Sequence, residues 1–367
     1  MKLQRLGILA GIALTATVAL AACGTDNNSS TPSSKSTGTA AGCATGTVNA
    51  QGSTAQQNAI AQWIKNYNSK CGSGAKINYN GTGSGAGQTA FIQGTADFAG
   101  SDSPLSADQQ PQANNRCKSG PAIHLPMVVG PIGVVYNVGG LTNLQFKPAT
   151  LAEIFSGKIT KWNDATIAAD NPGVKLPSTA ITTVHRAEQS GTTDNFTNYL
   201  TQTAAAQWTF GHDKAWKAPG GDAETGSAGV SNEIKSKDGS IGYDEWSYAV
   251  LNNLNMAKIY NGAGQYQALT ADSAGATIGG AKVVGTGDDL QMSIDYSTTA
   301  QGAYPIVLVT YEIVCDKGTP AAALPLVKSF LEYTSSTDGQ SALTQVGSAP
   351  LPEQIRAKVA SIVSNLS

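Results

Sequence analysis

Ala55, Ala59, Ile60, Trp63, Ile64 and Tyr67 recur at helical spacing, and they predict an amphipathic helix of about four turns that starts at Ser53 or Thr54. Val48-Asn49-Ala50 before it predicts a short strand, and residues 76–79 alternate as a second. A glycine-rich turn over 80–87 then leads into a short helical segment through Phe91 and Ile92, and 97–102 reads as a third strand ending in a carboxylate. That β-α-β-α-β order implies a parallel sheet with crossover helices.

Two apolar runs follow, 125–129 and 133–137, broken by Gly130-Pro131, where we expect a crossing between lobes. Thr150-Leu151-Ala152-Glu153 matches a capping box for a helix that ends at Gly157. The β-branched run 181–184 predicts a strand carrying Arg186 outward, and Phe196, Tyr199 and Leu200 place a helix after Ser190. Further on we expect a helix start within 229–234, strands at 240–243 and 305–314, and a helix over 320–331. The stretch 348–352 opens a last helix with Ile355, Val359, Ile362 and Val363 as its buried face.

At 367 residues the chain has room for about two or three domains. Its 41% apolar and 13% charged residues are those of a globular protein, and a net charge of −2 argues against nucleic acid as a partner. Residues 1–22 read as a signal peptide: Lys2 and Arg5 form a basic start, and an apolar stretch follows that ends in small residues. Leu20-Ala21-Ala22-Cys23 resembles a lipobox, so Cys23 is the expected acylated N-terminus, with a retained membrane span as the alternative. The Ser/Thr/Gly/Asn-rich remainder of 23–43 reads as a flexible tether, which puts the folded body outside the cytoplasmic membrane. Cys43, Cys71, Cys117 and Cys315 then remain, in a compartment that permits oxidation. They allow three pairings, of which we expect Cys71 with Cys117 and Cys43 with Cys315. No metal site is expected, since His124, His185 and His212 are scattered and no C-x-x-C occurs.

The candidate chemistry centres on 185–196. A helix start at Ser190-Gly191-Thr192 leaves N–H groups without partners and turns the positive end of its dipole outward. With the Arg186 guanidinium and two hydroxyls on the same turn, an anion pocket results. The plain alternative is an ordinary strand–turn–helix with Ser190 as N-cap and Arg186 on a surface carboxylate. The turn 81–87 loosely matches a dinucleotide fingerprint, with Asp102 roughly 20 residues on, but a nicotinamide cofactor does not suit an exported protein. The same glycines let the backbone approach a bare oxyanion, and Ser84 adds a hydroxyl. Ser84 is not a nucleophile elbow, because Thr82 stands where that motif needs Gly, and Gly157-Lys158 is not a P-loop lysine. No cofactor is implied.

From about residue 47 to the C-terminus the chain resembles the phosphate-binding lipoproteins of bacterial ABC-type phosphate uptake systems, actinobacterial members most closely. The resemblance is carried in order by Asn80-Gly81-Thr82-Gly83-Ser84-Gly85, by Asp97-Phe98-Ala99-Gly100-Ser101-Asp102-Ser103-Pro104-Leu105-Ser106 and by Gly157-Lys158-Ile159-Thr160-Lys161-Trp162-Asn163-Asp164. It continues through Arg186-Ala187-Glu188-Gln189-Ser190-Gly191-Thr192, Gly239-Ser240-Ile241-Gly242-Tyr243 and Tyr304-Pro305-Ile306. It implies an α/β, two-lobed periplasmic-binding-protein fold of type II, each lobe a mainly parallel sheet flanked by helices. Lobe 1 would comprise 44–130 plus 304–367, and lobe 2 would comprise 131–303.

The implied phosphate ligands are Thr54 and Ala55 at the first helix start, Ser84, Asp102, Arg186, Ser190, Gly191 and Thr192. Many relatives have Phe at the place of Ala55. Glu188 stands where the family usually has Asp paired with the arginine, and its extra methylene alters how that arginine is held. The implied partners are inorganic phosphate and the permease subunits of an ABC transporter. The protein would be a monomer on the outer face of the cytoplasmic membrane, anchored only by lipid.

Asp102 makes chemical sense in such a site, because phosphate keeps a proton at neutral pH and sulfate keeps none. An obligatory polar contact of that kind can reject the wrong ligand by ~10⁴-fold. At roughly 1.5 kcal/mol for each of about five heavy atoms, affinity reaches about 7 kcal/mol, or order micromolar. The rival readings are a binding protein for another oxyanion and a secreted phosphatase using Ser84 or Thr192. The phosphatase would need a base or metal pair beside the hydroxyl, and the sequence supplies neither.

Overall fold

The computed structural model describes residues 42–367; the expected leader 1–22, Cys23 and all but the end of the 23–43 tether lie outside the described residues. The described chain opens with β1 (Gly46–Gly52), α1 (Gln57–Cys71), β2 (Ala75–Gly81), α2 (Ser84–Ile92), β3 (Phe98–Ser101) and α3 (Gln109–Cys117). As the alternation predicts, β1 pairs in parallel with both β2 and β3. The buried stripe of α1 is Ala59, Ile60, Trp63 and Tyr67, and it packs into a core with Val48, Phe91, Phe98 and Phe330. The first turn of α1 is set back to Gln57: residues 53–56 form a tight turn in which Gln56 N–H donates to Ser53 Oγ at 3.3 Å.

The expected break at Gly130-Pro131 is no break. β4 (Ala122–Asn137) runs through it as one buried strand of 16 residues. Its neighbours change at that point. Residues 122–131 pair with the late strand, and residues 132–137 pair with a strand of the second lobe. Pro131 fits because its missing N–H falls at the hand-over. Gly130 fits because a Cβ there would lie 2.5 Å from Leu308 Cδ1. β4 therefore crosses between two cores as a single strand, with Val129 in the first cluster and Ile132 in the second.

The second region contains β5 (Gln145–Phe146), α4 (Pro148–Phe155), α5 (Ala165–Asp170), β6 (Thr182–Arg186), α6 (Gly191–Thr203), β7 (Asp222–Glu224), α7 (Gly226–Ser236), β8 (Ser240–Glu245) and α8 (Trp246–Leu251). β8, β6 and β7 are parallel to one another, and β8 is antiparallel to β4. Aromatic residues fill this core: Phe155, Trp162, Phe196, Tyr199 and Tyr243 are all buried. Short strands β9 (Asn255–Met256), β10 (Lys258–Tyr260) and β11 (Tyr266–Gln267) follow, then α9 (Ala271–Ile278), β12 (Lys282–Val283) and β13 (Met292–Ser293). The chain returns through β14 (Val307–Cys315), α10 (Leu324–Thr334), α11 (Thr337–Ser341), a 3₁₀ turn and α12 (Glu353–Asn365). β14 lies antiparallel between β3 and β4, so the main sheet is mixed, in the order β2-β1-β3-β14-β4-β8-β6-β7.

The fold corrects further expectations. The cysteines pair as Cys43–Cys71 and Cys117–Cys315, with Cα separations of 5.4 and 5.3 Å. Parallel β1 and β2 bring their starts together, and Cys43 and Cys71 sit just ahead of them. Antiparallel β14 ends beside the beginning of β4, next to the end of α3, where Cys117 lies. The capping box at Thr150 does not form: Pro148 starts α4 earlier, and the Thr150 hydroxyl donates to Asp170 Oδ2 at 2.6 Å. Two helices also shift, α7 starting at Gly226 rather than within 229–234 and α10 starting at Leu324 rather than at 320.

Candidate functional site

β6 delivers Arg186 into the interior, where the side chain is 2% exposed. Its strand neighbour β8 supplies Tyr243, whose hydroxyl accepts from Arg186 N–H at 3.3 Å. Ser190 caps α6 as expected, its Oγ accepting from Thr193 N–H at 3.4 Å. Glu188 bridges within this lobe: one carboxylate oxygen takes a hydrogen bond from Arg186 Nη2, and the other accepts from Gly226 N–H at 3.2 Å. The glutamate's extra methylene thus lets one side chain hold both the arginine and the start of α7.

The facing wall comes from β1, β3, α2 and β14. Asp102 is 3% exposed at the end of β3. Its Oδ1 accepts from Ser53 Oγ at 2.6 Å and from Thr310 Oγ1 at 2.8 Å, and its Oδ2 accepts from Ser84 Oγ at 3.2 Å. A carboxylate offers about four acceptor directions, so roughly one on Oδ2 is left for a further donor. Ser84 Oγ in turn accepts from Asp102 N–H at 3.1 Å and from Gly191 N–H at 3.2 Å.

The two walls meet at residues 53–54. Arg186 Nη2 donates to Thr54 Oγ1 at 2.8 Å, one residue from the serine that donates to Asp102. Ser227, in the first turn of α7, adds its N–H to Thr54 Oγ1 at 3.3 Å, and the two hydroxyls lie 3.1 Å apart. Arg186 Nη1 makes a long contact of 3.5 Å with Thr192 Oγ1, while Nε is buried with no hydrogen-bond partner among the described residues. A buried guanidinium N–H left unpaired is costly, and it marks where an acceptor belongs.

Every residue of the expected set is buried at or beside this junction except Glu188, which is partly exposed. Ala55 is the least chemical of them: at the turn before α1 its methyl packs into the second lobe's core. Two glycines of 81–87 leave room for the facing segment: a Cβ at Gly83 would meet Glu188 Cγ at 2.8 Å and the Gln189 carbonyl oxygen at 2.9 Å, and one at Gly85 would meet Gln189 Cβ at 2.5 Å.

Sequence reasoning missed Ser53, Ser227 and Thr310. Thr310 had a signal, being a polar residue inside the apolar run 305–314. Ser53 and Ser227 had none, since a serine just before a helix or in its first turn ordinarily serves the helix end.

Burial raises the carboxyl of Asp102 above the usual range, against hydrogen bonds from Ser53, Thr310 and Ser84 and the Arg186 charge. Three further carboxyls are buried close by. Burial pushes Asp244 up to about 7, against hydrogen bonds from Ser231 and Ser227 and the Arg186 charge. It pushes Glu312 up to about 8, against a hydrogen bond from Gln56, and it raises Glu245 as well. Burial is the leading cause in all four, and the Arg186 charge opposes it at Asp102 and Asp244.

The family model described as a PBP superfamily domain matches residues 37–338. The chain is 42% identical, over 100% of both chains, to "Phosphate-binding protein PstS2" of Mycobacterium bovis. It is 40% identical, again over 100% of both, to "Phosphate-binding protein PstS 3" of Mycobacterium leprae. Among solved structures it is similar to a high affinity periplasmic phosphate-binding protein (PfluDING) bound with phosphate, with a TM-score of 0.68 and 23% identity over 86% of this chain and 93% of that one. The phosphate binding protein of Stenotrophomonas maltophilia gives a TM-score of 0.68 at 20% identity, covering 87% of this chain and 94% of that one. These two structures share its fold.

Proposed function

Because the chain belongs to the PBP superfamily and, within it, to the family of PstS phosphate-binding proteins, we propose that it binds inorganic phosphate outside the cytoplasmic membrane and delivers it to the permease of an ABC importer. It is a binding protein and not an enzyme, in keeping with the names of its relatives. Thr54, Ala55, Ser84, Asp102, Arg186, Glu188, Ser190, Gly191 and Thr192 make up the proposed binding set. The observation that carries this reading is the convergence of Arg186 and Asp102 on adjacent residues of one turn, with Arg186 Nε unpaired among the described residues.

In this reading Arg186 and the start of α6 neutralise the anion. Asp102, an acceptor held by three hydroxyls, accepts a hydrogen bond from the O–H that phosphate carries and sulfate lacks. Glu188 holds Arg186 in place through its carboxylate. The lobes of the proposal are 44–130 with 304–367, and 131–303. The change of core along β4 supports that division, although α9 and Met292 pack into the first cluster. Signal cleavage, acylation at Cys23, a tether to the outer face of the membrane and a monomeric state complete it.

Titration calorimetry of the tether-less body with phosphate, arsenate, sulfate and molybdate at pH 6 and pH 8 tests the proposal. Phosphate binding with sulfate and molybdate rejected is the expected result. Equal binding of sulfate would leave Asp102 without its role and favour a general oxyanion binder.

A further inference from the structure

Asn195 sits one turn into α6, just beyond the motif that ends at Thr192. Its Nδ2 donates to Asp102 O at 2.7 Å and to Gly191 O at 2.8 Å. Both acceptors are carbonyls, which can only accept, so the amide edge facing them must be the NH₂ group. Its Oδ1 therefore points the other way, and there it accepts from Tyr296 Oη at 2.6 Å. Three hydrogen bonds of fixed direction leave this side chain one orientation.

The two carbonyls belong to opposite walls of the site. Asp102 follows directly on β3 and presents the acceptor carboxylate, and Gly191 begins α6 and presents its N–H to Ser84. Tyr296 is 2% exposed and lies on the segment that leads back towards β14. One amide thus ties the first lobe to the second directly behind the anion site, and the returning segment holds that amide in place.

We propose that Asn195 is a positioning residue that clasps the lobes shut around the bound anion, with Tyr296 fixing the direction of its amide. The proposal rests on the reading of the site as a phosphate site, but it makes a separate claim: the clasp sets how long the cleft stays closed. Asn195→Asp is the sharpest variant. It keeps the shape and replaces the NH₂ donor with an oxygen that faces two carbonyl oxygens.

The test uses the full mature chain with inorganic phosphate as the probe. Stopped-flow and calorimetric titration are combined with small-angle scattering in the presence and absence of phosphate. Asn195→Asp should lower phosphate affinity about 10- to 100-fold, the range for lost or unsatisfied buried hydrogen bonds. A faster off-rate should carry the loss, and the variant should scatter as a more open molecule. Tyr296→Phe should give a smaller loss of the same kind, and Asn195→Ala/Tyr296→Phe should bind no worse than Asn195→Ala alone.

Wild-type affinity and off-rate in Asn195→Asp would overturn the proposal. Additive losses matched by an equal fall in ligand-free thermal stability would also overturn it, because that is the behaviour of a merely structural residue. If the wild-type chain itself takes up no phosphate, the functional reading fails. The clasp is then judged on the ligand-free scattering, where identical profiles for wild type and Asn195→Asp overturn it and a more open variant supports it.

Discussion

Gly191, the first residue of α6, packs directly on Asp102: a Cβ at position 191 would lie 2.5 Å from Asp102 Cβ and 2.7 Å from Ser84 Oγ. Its φ is not positive, so the glycine is required by the closeness of the other lobe and not by backbone conformation. Gly191→Ala should therefore hold the lobes apart while each still folds. Phosphate affinity is expected to fall by about 10-fold or more, the scale of a buried methyl forced into a packed contact. Calorimetric titration checks it, with circular dichroism to confirm the fold, and an unchanged affinity would contradict the closed packing.

Asp102→Asn replaces an acceptor oxygen with a donor at nearly constant volume. Phosphate affinity should drop, and the preference for phosphate over sulfate should shrink by about 100-fold or more, since the contact that penalises a proton-free anion is gone. Competition titrations with both anions measure this. Retention of the wild-type preference would remove Asp102 from the selectivity mechanism.

Glu312 gives the ligand-free protein a pH dependence of defined sign. Burial holds its carboxyl at about 8, above its ordinary 4.5. Between those values the folded chain binds more protons than the unfolded one. The stabilisation is thus fully present below pH 4.5 and declines as pH rises to about 8, by at most about 1.4 kcal/mol per pH unit for one group. Asp244, at about 7, acts in the same direction. Urea unfolding at pH 5, 6.5 and 8 should show stability falling with pH, and Glu312→Gln should flatten that fall. An identical slope in the variant would mean that Glu312 is ionised in the folded protein.

Glu188→Asp restores the residue usual in the resembling family and shortens the arm that reaches Gly226 N–H. The arginine contact should survive and the tie to α7 should be lost, for a fall in phosphate affinity of about 3- to 10-fold. Glu188→Gln, which keeps the reach and removes the charge, should cost more, because the buried Arg186 loses its counter-ion. Calorimetry on the pair checks the order, and the reverse order would mean that reach matters more than charge.

The sequence by itself determined the local elements of this protein and the chemistry along its motifs. Periodicity located the stripe of α1, the parallel trio β1, β2 and β3, and the capped start of α6, because each depends on residues within a few positions of one another. The resemblance carried the expected site residues from Thr54 to Thr192, and all of them but the partly exposed Glu188 are buried at or beside one junction. What only the tertiary structure decided depends on contacts between residues far apart in the chain. Parallel and antiparallel neighbours set the disulfide pairing. A single change of partner lets β4 run unbroken past Pro131. Ser53 and Thr310 meet Asp102 within one wall, and Ser227 and Asn195 reach the opposite wall, each through a hydrogen bond between residues far apart in the chain. A hydroxyl or an amide carries no mark in sequence of which distant carbonyl or carboxylate it will meet, because the folding of two lobes against each other creates that partner.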